Sequence, residues 1–573
     1  MTRILFGILC LLAFAAPSAA GSWEHSFFAG TQYPLRVAYL EGEAPGPTVM
    51  VQGGIQGDES SGFITAQLLS RATVTRGNLI VLPRANVPSI NLHKRQINVD
   101  MNRRFDRDYN RFYEDRVARV IRYFLCRSDA FIHLHEGSGF YSPTYVDSLR
   151  NPMRYGQSII VDTLVYHKID LEDTVNSVLK ELNDSIPTAD YQFKLFNTRT
   201  FDQGTNYPEM RKSLTCYALA QHNIPAMAVE VSKNIRQIGW KVRQQLAATI
   251  LLLSRLGVHV TPPEFTDADV RAYAGRGVSV SVNGRTLASG EVINLAPGST
   301  LAVRTLSDGP REFSPELALF ASDRPGVNLM QARRMVLEPF SELELRSDGE
   351  RLAKAEVRWT GKLPSPPGDD KPVFVCWLNG NPIFVHAGDV LRTVEGDQLI
   401  LEGIWGSDLQ EVVNLKGFVA IPWANNGQDL GWEIILDPDN FMGKYDLKAD
   451  TPGASRFRVV RETPGAPASE FYVDISPRTV HALRLADERG QSLLIPWTPG
   501  GSYRLPEGRY VLEGAWSNGP GEKLLATTDD QPLALGNAFT VDYAKPLKLT
   551  VRQATTFGDI GSMTFTAGGM AER

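Results

Sequence analysis

The chain has 573 residues, with 59 Lys and Arg against 64 Asp and Glu and a formal net charge of -5. This length predicts several domains, and the near balance of charge excludes a bulk basic surface for nucleic acid or for anionic membranes. Its 4 cysteines are too few for a disulfide framework or a cysteine metal site. Partners must therefore be recognised by local groups of residues.

Residues 1–20 have the three parts of a secretory signal. Arg3 is the positive residue, an apolar run covers 4–16, and Ser18-Ala19-Ala20 forms a small-residue cleavage site. That run is too short to span a bilayer, and no later run reaches the roughly 18 apolar residues of a membrane helix. We expect a signal peptide over 1–20, a protein without a membrane span, and action in the periplasm.

Strand-like and helical patterns alternate over residues 21–262. The runs NLIVLPR, DAFIHLH and AMAVEVS read as strands, and apolar residues recur at helical spacing in 113–125 and 240–256. Such alternation predicts a layered α/β domain, with a mixed sheet flanked by helices.

The sequence pattern changes after Thr261-Pro262-Pro263. From there on, short runs in which apolar and polar residues alternate are separated by Gly, Pro, Asn and Asp. We predict all-β domains over 264–363 and 370–573, joined by a Pro-rich linker at 362–369, with the second region divided near 455. A weak repeat relates residues 281–303 to 377–401, and each copy carries an Asn-Gly hairpin turn.

The stretch TVMVQGGIQGDES ends an apolar strand in a Gly-rich turn and delivers Gln56 and Glu59 three residues apart. This spacing aims both side chains at one point, as in a metal-binding pair. Gln offers a neutral carbonyl oxygen in the place where a stronger zinc ligand, His, is more usual. The alternative is a Gly-rich turn that carries exposed polar residues.

In DAFIHLHEGSGFY, His133 and His135 point to the same face of a buried strand. His135 is nearer the Gly-rich exit loop, where an α/β sheet presents its site, and is the preferred third ligand. His133 remains the other possible ligand. For each of the two histidines, the alternative to metal binding is a hydrogen-bonded residue of the core.

Other candidate residues follow along the chain. Glu230 interrupts the apolar strand AMAVEVS, and a carboxylate there calls for a cation or a proton, which favours a general base or a structural ion pair. Asn102 and Arg103 lie in NVDMNRRFDR, and Arg95 lies just upstream. Guanidinium groups grip carboxylates through two hydrogen bonds, although such a cluster is more often a solvated face.

Taken in order, GGIQ-x-DE, DMNRRF, HLHEG and VEVS resemble the zinc carboxypeptidases of the carboxypeptidase A superfamily. More closely, they resemble the peptidoglycan D,L-carboxypeptidases that govern helical cell shape in some Gram-negative bacteria. Those enzymes also have Gln in place of the usual His, and β-domains follow their catalytic domain, one of them immunoglobulin-like. The resemblance covers about 240 residues by motif and the rest by architecture.

The resemblance implies a role for each candidate residue. One zinc ion per chain would be held by Gln56, Glu59 and His135. Glu230 would be the general base. Arg95 is the candidate for stabilising the oxyanion, an assignment that rests on its charge and its proximity. The terminal carboxylate of the substrate would bind to the remaining pair, Asn102 and Arg103.

We therefore predict a metallocarboxypeptidase that trims the peptidoglycan tripeptide stem to a dipeptide by releasing meso-diaminopimelate, and so affects cell shape. Without the resemblance, these residues indicate a metal-assisted hydrolase for a substrate with a terminal carboxylate. Two alternatives are a deacylase of N-acyl amino acids on the same fold and an inactive wall-binding scaffold. The β-domains are expected to bind wall glycan or a protein partner.

Overall fold

A computed structural model describes residues 21–275, 278–307, 313–322, 324, 326–330, 333–337, 340–361, 371–407, 409–420, 427–520, 523–528, 531–533 and 536–568. The predicted signal peptide at 1–20 and the predicted linker at 362–369 lie outside these residues. None of the helices in the described ranges has both the length and the hydropathy of a membrane span.

The first domain is built on a nine-stranded mixed sheet in the order β1-β2-β4-β3-β5-β12-β8-β11, with β13 beside β4. Its central pairs β3/β4, β3/β5 and β5/β12 are parallel, so the C-terminal ends of β3, β5 and β12 meet at one edge. The strands of this domain are β1 (Trp23–Phe27), β2 (Leu35–Glu41), β3 (Ala44–Gln52), β4 (Thr73–Leu82), β5 (Ala130–Gly137), β6 (Phe140–Tyr141), β7 (Arg150–Asn151), β8 (Ser158–Val161), β9 (Val165–Tyr166), β10 (Ile169–Asp170), β11 (Lys194–Asn197), β12 (Ala226–Ser232) and β13 (His259–Thr261).

Helices cover this sheet and complete its apolar core. The helix α6 contacts α1, α4 and β12, and α5 packs on β5 and β12. Because the central strands are parallel and sandwiched between helices, they are buried along nearly their whole length. The helices are α1 (Ser60–Leu69), α2 (Val87–Asn91), α3 (Tyr113–Leu125), α4 (Leu171–Asp184), α5 (Leu214–His222), α6 (Ile238–Arg255) and α7 (Asp267–Ala272).

Three all-β units follow, and each consists of two sheets around one apolar core. The predicted fold class, an α/β domain followed by all-β domains, is thus confirmed. The strands of the first unit are β14 (Val278–Val282), β15 (Arg285–Thr286), β16 (Val292–Leu295), β17 (Ser299–Ser307), β18 (Leu317–Ala321), β19 (Arg333–Val336), β20 (Glu342–Ser347) and β21 (Glu350–Trp359). Those of the second are β22 (Val373–Leu378), β23 (Asn381–His386), β24 (Val390–Val394), β25 (Asp397–Ile404), β26 (Val413–Leu415), β27 (Glu433–Leu436), β28 (Ser455–Arg461) and β29 (Ser469–Ser476). Those of the third are β30 (Val480–Ala486), β31 (Ser492–Pro496), β32 (Ser502–Leu505), β33 (Gly508–Ser517), β34 (Leu524–Thr527), β35 (Pro532–Leu533), β36 (Ala538–Val541), β37 (Leu547–Gln553) and β38 (Asp559–Ala567).

All three units have the same strand topology. In each unit, the strands are counted in chain order. One sheet then consists of the second, first and fourth strands followed by a later one, in the orders β15-β14-β17-β19, β23-β22-β25-β27 and β31-β30-β33-β36. The other sheet pairs the third strand with the last in parallel, as β16 with β21, β24 with β29 and β32 with β38. The repeat seen in the sequence falls on equivalent strands, and Asn283-Gly284 and Asn379-Gly380 both have positive φ at the first hairpin.

The strands place the division of the C-terminal region at residues 477–479 rather than near 455. The predicted boundary rests on two Pro-Gly turns, Pro452-Gly453 and Pro464-Gly465, which flank β28. Since β28 pairs with β26 and β29, these turns lie inside the second unit. A turn within a sandwich and a linker between sandwiches have the same composition. The boundary between the second and third units is therefore determined by strand pairing, which composition does not reveal.

Candidate active site

The turn between β3 and α1 carries Gln56 and Glu59, two residues that are 3% and 2% exposed. Glu59 is the N-cap residue of α1, yet its carboxylate makes no capping hydrogen bond. Glu136 caps the helix instead, because its Oε1 accepts from Ser61 N at 2.7 Å and its Oε2 accepts from Lys241 Nζ at 2.6 Å. The Glu59 carboxylate is therefore available to face the sheet edge.

Glu59 and His135 meet at this edge. The Glu59 Oε2 atom lies 2.9 Å from His135 Nδ1 and 3.2 Å from Glu136 N, and Lys233 Nζ lies 3.6 Å from Glu59 Oε1. The other ring nitrogen of His135, Nε2, lies 3.0 Å from His133 Nδ1. His133 is fully buried, and burial together with the neighbouring His135 keeps its pKa well below the usual value. His135 thus faces the carboxylate, and His133 stands behind it.

Gln56 is oriented by Asp100. The Gln56 Nε2 atom donates to Asp100 Oδ1 at 3.4 Å, and Asp100 also accepts from Arg95 Nη2 at 2.9 Å and from Asn102 N at 3.0 Å. Because the amide nitrogen faces this carboxylate, the carbonyl oxygen of Gln56 points away from it. That oxygen is the atom through which an amide can bind a cation.

Glu230 lies beside His135, since these two residues are paired in the parallel register of β12 and β5. Burial raises the pKa of the Glu230 carboxyl to about 7, with the charge of Glu59 adding to the rise and His135 opposing it. Room for the carboxylate exists because residue 137 is Gly, where an added Cβ would lie 1.9 Å from Glu230 Oε2. A carboxyl group with a pKa near neutrality is suited to accept and then return a proton.

The arginines separate into different environments. Arg103 makes no ion pair among the described residues, and its hydrogen bond goes to the carbonyl of Asn102 at 2.8 Å. Arg104 is tied to Asp115 at 2.6 Å and stacks on Tyr109, so it serves the packing of the loop. The Asn102 side chain is 7% exposed, and its Oδ1 accepts from the backbone of α5. Arg95 is half-exposed, and its charge is felt by both Glu59 and Glu230.

The donor set fits a divalent metal. Within the described ranges no three His, Cys, Asp or Glu side chains are grouped as metal ligands. Two such side chains, Glu59 and His135, are grouped, and the oriented carbonyl of Gln56 lies on the same turn. One carboxylate, one imidazole nitrogen and one amide oxygen are all known zinc or divalent-metal donors, and three protein ligands leave a position for water.

Three residues of the site were not predicted from the sequence: Asp100, Glu136 and Lys233. Glu136 lies within HLHEG directly after His135, and Lys233 directly follows VEVS, but adjacency alone does not reveal a helix cap or an ion pair. Asp100 sits in the same loop as Asn102, and its function as the partner of both Gln56 and Arg95 depends on the fold of that loop.

The first domain matches a known protein family. Residues 29–267 match the family model described as "Carboxypeptidase controlling helical cell shape catalytic". The resemblance found in the sequence is therefore confirmed over the first domain, which matches a family of carboxypeptidases. No curated protein matches the chain.

Among solved structures, apo Csd4, a cell shape determinant protein from Helicobacter pylori, is 21% identical with a TM-score of 0.44 and covers 77% of this chain and 100% of its own. The mDAP-bound form of Helicobacter pylori Csd4, a D,L-carboxypeptidase, is 21% identical with a TM-score of 0.43 and covers 75% and 96%. A succinylglutamate desuccinylase/aspartoacylase from Rhodobacter sphaeroides is 16% identical with a TM-score of 0.30 and covers 47% and 81%.

Replacing Glu59 by Gln should abolish metal binding, because it removes the one carboxylate of the donor set. Elemental analysis after loading with zinc as the probe metal should find about one equivalent in the unaltered protein and almost none in Glu59→Gln. Asp58→Asn is the matched control, since Asp58 is the neighbouring carboxylate and pairs with Lys233 at 2.6 Å. Full retention of zinc by Glu59→Gln, or equal loss in both variants, would show that the ligand is misassigned.

Replacing Gln56 by His should keep the metal and bind it at least as tightly, because imidazole is a better ligand of equal charge whose N–H can still donate to Asp100. Gln56→Ala, which removes the donor, should weaken binding. Hydrolysis by Gln56→His should nevertheless fall, since a displacement of about 1 Å can cost on the order of a hundredfold in rate. A His variant that binds as poorly as the Ala variant in a zinc titration would exclude residue 56 as a ligand.

Proposed function

We propose that this chain, whose first domain belongs to the family of carboxypeptidases that control helical cell shape, is a zinc-dependent D,L-carboxypeptidase of the periplasm. It removes meso-diaminopimelate from peptidoglycan tripeptide stems and leaves dipeptides. The observation that supports this most is the register that sets Glu230 beside His135, with Glu59 2.9 Å from the same imidazole. A proton acceptor is thereby fixed next to a metal-binding pair.

Gln56, Glu59 and His135 hold one zinc ion per chain in this proposal. When bound, zinc supplies a Lewis acid that polarises water and the scissile carbonyl. The net charge of the ion with its protein ligands stays positive, because only one of the three, Glu59, is anionic. Lys233 limits the excess of negative charge from Asp58 and Glu59 when the metal is absent.

Glu230 moves the proton. As the water attacks the carbonyl carbon, the Glu230 carboxylate accepts a proton from the water oxygen, and it then donates that proton to the leaving amine. Its pKa of about 7 suits both transfers near neutral pH, and the charge of a bound divalent cation would lower this value and favour the basic form. Arg95, next to Glu59 and Glu230, is placed to stabilise the oxyanion.

Asn102 and Arg103 bind the terminal carboxylate of the substrate. Arg103 makes no ion pair among the described residues, so its guanidinium group has donors for a ligand. The Oδ1 atom of Asn102 accepts from α5, which leaves the amide nitrogen of Asn102 to donate to a ligand. A guanidinium group offers two parallel hydrogen bonds to a carboxylate. This clamp makes the enzyme an exopeptidase, since only a chain end carries the group that it recognises.

The roles of Glu230 and Arg103 should separate in kinetics. Glu230→Gln should lower kcat by about 10² or more with metal and substrate binding nearly intact, because a general base acts only as the water attacks. Arg103→Ala should chiefly raise KM, because the clamp acts in the ground state and in the transition state alike. Both are measured by release of diaminopimelate from purified muramyl tripeptide.

Arg107→Ala is the matched control for the loss of an arginine, since Arg107 lies on the same loop and is exposed. It should leave kcat and KM unchanged. Near-normal turnover by Glu230→Gln, or an unchanged KM in Arg103→Ala, would contradict the assigned roles. Hydrolysis of N-acyl amino acids in place of the tripeptide would favour the deacylase, and a zinc-loaded protein that cleaves neither would favour the scaffold.

A further inference from the structure

We call residues 53–59, between β3 and α1, the metal-binding turn. The first β unit reaches the back of this turn through one hairpin. Its strands β20 and β21 are joined by Asp348 and Gly349, both with positive φ, at 44° and 85°. Asp-Gly in this conformation is the tight turn favoured between antiparallel strands. We call residues 346–349 the docking tip. Although it is a loop of another domain, its Asp348 is only 1% exposed.

The docking tip is held by a buried ion pair with the first domain. Arg84 Nε and Nη2 donate to the two carboxylate oxygens of Asp348 at 2.7 and 2.6 Å. The remaining nitrogen, Arg84 Nη1, donates to Gln67 Oε1 at 2.6 Å. Gln67 belongs to α1, the helix that starts directly after Glu59. One guanidinium group therefore ties the β unit to the helix that carries a metal ligand.

The helix α2 is enclosed between the docking tip and the metal-binding turn. On one side, an added Cβ at Gly349 would lie 2.5 Å from the Ile90 carbonyl, and Arg346 Nη1 donates to the Asn91 carbonyl at 3.2 Å. On the other side, an added Cβ at Gly57 would lie 2.0 Å from the carbonyl carbon of Ser89. The backbone of α2 is thus in contact with both the docking tip and the metal-binding turn, so a shift of α2 would displace the turn.

The backbone that follows β4 completes the connection. Ala85 N donates to the Gly53 carbonyl at 3.2 Å, and Asn86 N donates to the Gly54 carbonyl at 2.8 Å. These donors are the two residues after Arg84. The position of the Arg84 backbone therefore helps to fix the start of the turn that carries Gln56 and Glu59.

We infer that the docking tip is a positioning element for the metal site, with Asp348 as a positioning residue that touches neither metal nor substrate. This inference rests on the proposed function for the identity of the site. Without the Asp348 carboxylate, the buried Arg84 guanidinium keeps its hydrogen bond to Gln67 but loses its ion-pair partner, and the segment around Arg84 must rearrange. Gln56 and Glu59 then lose their fixed separation, and a ligand set that must organise itself binds metal more weakly.

The test compares two buried ion pairs. Asp348→Asn removes the docking pair, and Asp397→Asn removes a pair of similar burial, Arg478 with Asp397 at 2.9 Å, which lies in the β region. Both variants should unfold at a lower temperature. Zinc affinity should fall in Asp348→Asn alone, by less than the roughly 10- to 100-fold expected for a residue hydrogen-bonded directly to a metal ligand, because Asp348 acts through Arg84 and α2. Arg346→Ala, which removes a single hydrogen bond, should shift affinity in the same direction by less, and it serves if Asp348→Asn does not fold.

A second readout does not need metal. Hydrogen–deuterium exchange of the metal-free protein should be faster across residues 53–59 in Asp348→Asn and unchanged there in Asp397→Asn. Equal zinc affinity and equal exchange in the two variants would reduce the docking pair to a structural contact and overturn the inference. If the unaltered protein binds no zinc, the proposed function fails, and the exchange comparison still decides whether the docking tip orders the turn.

Discussion

The site depends on the burial of the Glu59 carboxylate against His135. A carboxylate removed from water requires hydrogen bonds and compensating charge, and its desolvation is costly without them. Here the imidazole and one backbone N–H lie within 3.2 Å of Glu59 Oε2, while Lys233 is 3.6 Å from Oε1 and remains partly exposed. A second carboxylate, Glu230, is fixed nearby with a raised pKa. A divalent cation is the species that neutralises such a cluster best.

Parallel strand register places these groups, and the surrounding contacts prepare them for chemistry. Because β3, β5 and β12 are parallel, the turn after β3, His135 on β5 and Glu230 on β12 meet at one edge. Asp100 turns the amide of Gln56, and His133 stands behind His135. Preorganisation of this kind lets ligands bind a metal without a large cost in conformational entropy.

The three β units share one topology but have different surroundings. The first unit inserts its docking tip behind the metal-binding turn. The third brings Phe557 against Phe27 and Tyr123 of the first domain, with ring centroids 5.3 and 5.5 Å apart. Repetition of a sandwich therefore gave units whose loops contact the catalytic domain at different places. At least one of these contacts lies close enough to the site to affect it.

Much of this could be predicted from the sequence, because it is local. Short apolar runs indicated the strands that carry His135 and Glu230, and the Gly-rich turn after β3 indicated the segment that carries Gln56 and Glu59. The Asn-Gly turns marked equivalent hairpins of the repeated units. These signals arise within a few residues of one another, so they can be read along the chain.

The remainder is set by contacts between distant residues. Arg84 and Asp348 are 264 positions apart, and neither lies in a motif that marks it as a partner of the other. The capping of α1 by Glu136 likewise depends on the packing of β5 against α1, and its pairing with Lys241 depends on the position of α6. The end of the second β unit was misplaced near 455 because strand pairing, rather than composition, determines which turn is a boundary.

The central claim is that Gln56, Glu59 and His135 together form a metal site, and the most direct measurement is anomalous diffraction at the zinc absorption edge from crystals of the zinc-loaded protein. The account predicts a single strong anomalous peak per chain, within about 2.0–2.2 Å of Glu59 oxygen, His135 Nδ1 and Gln56 Oε1. A peak coordinated by His133 or by other residues, or no peak in fully loaded crystals, would contradict it.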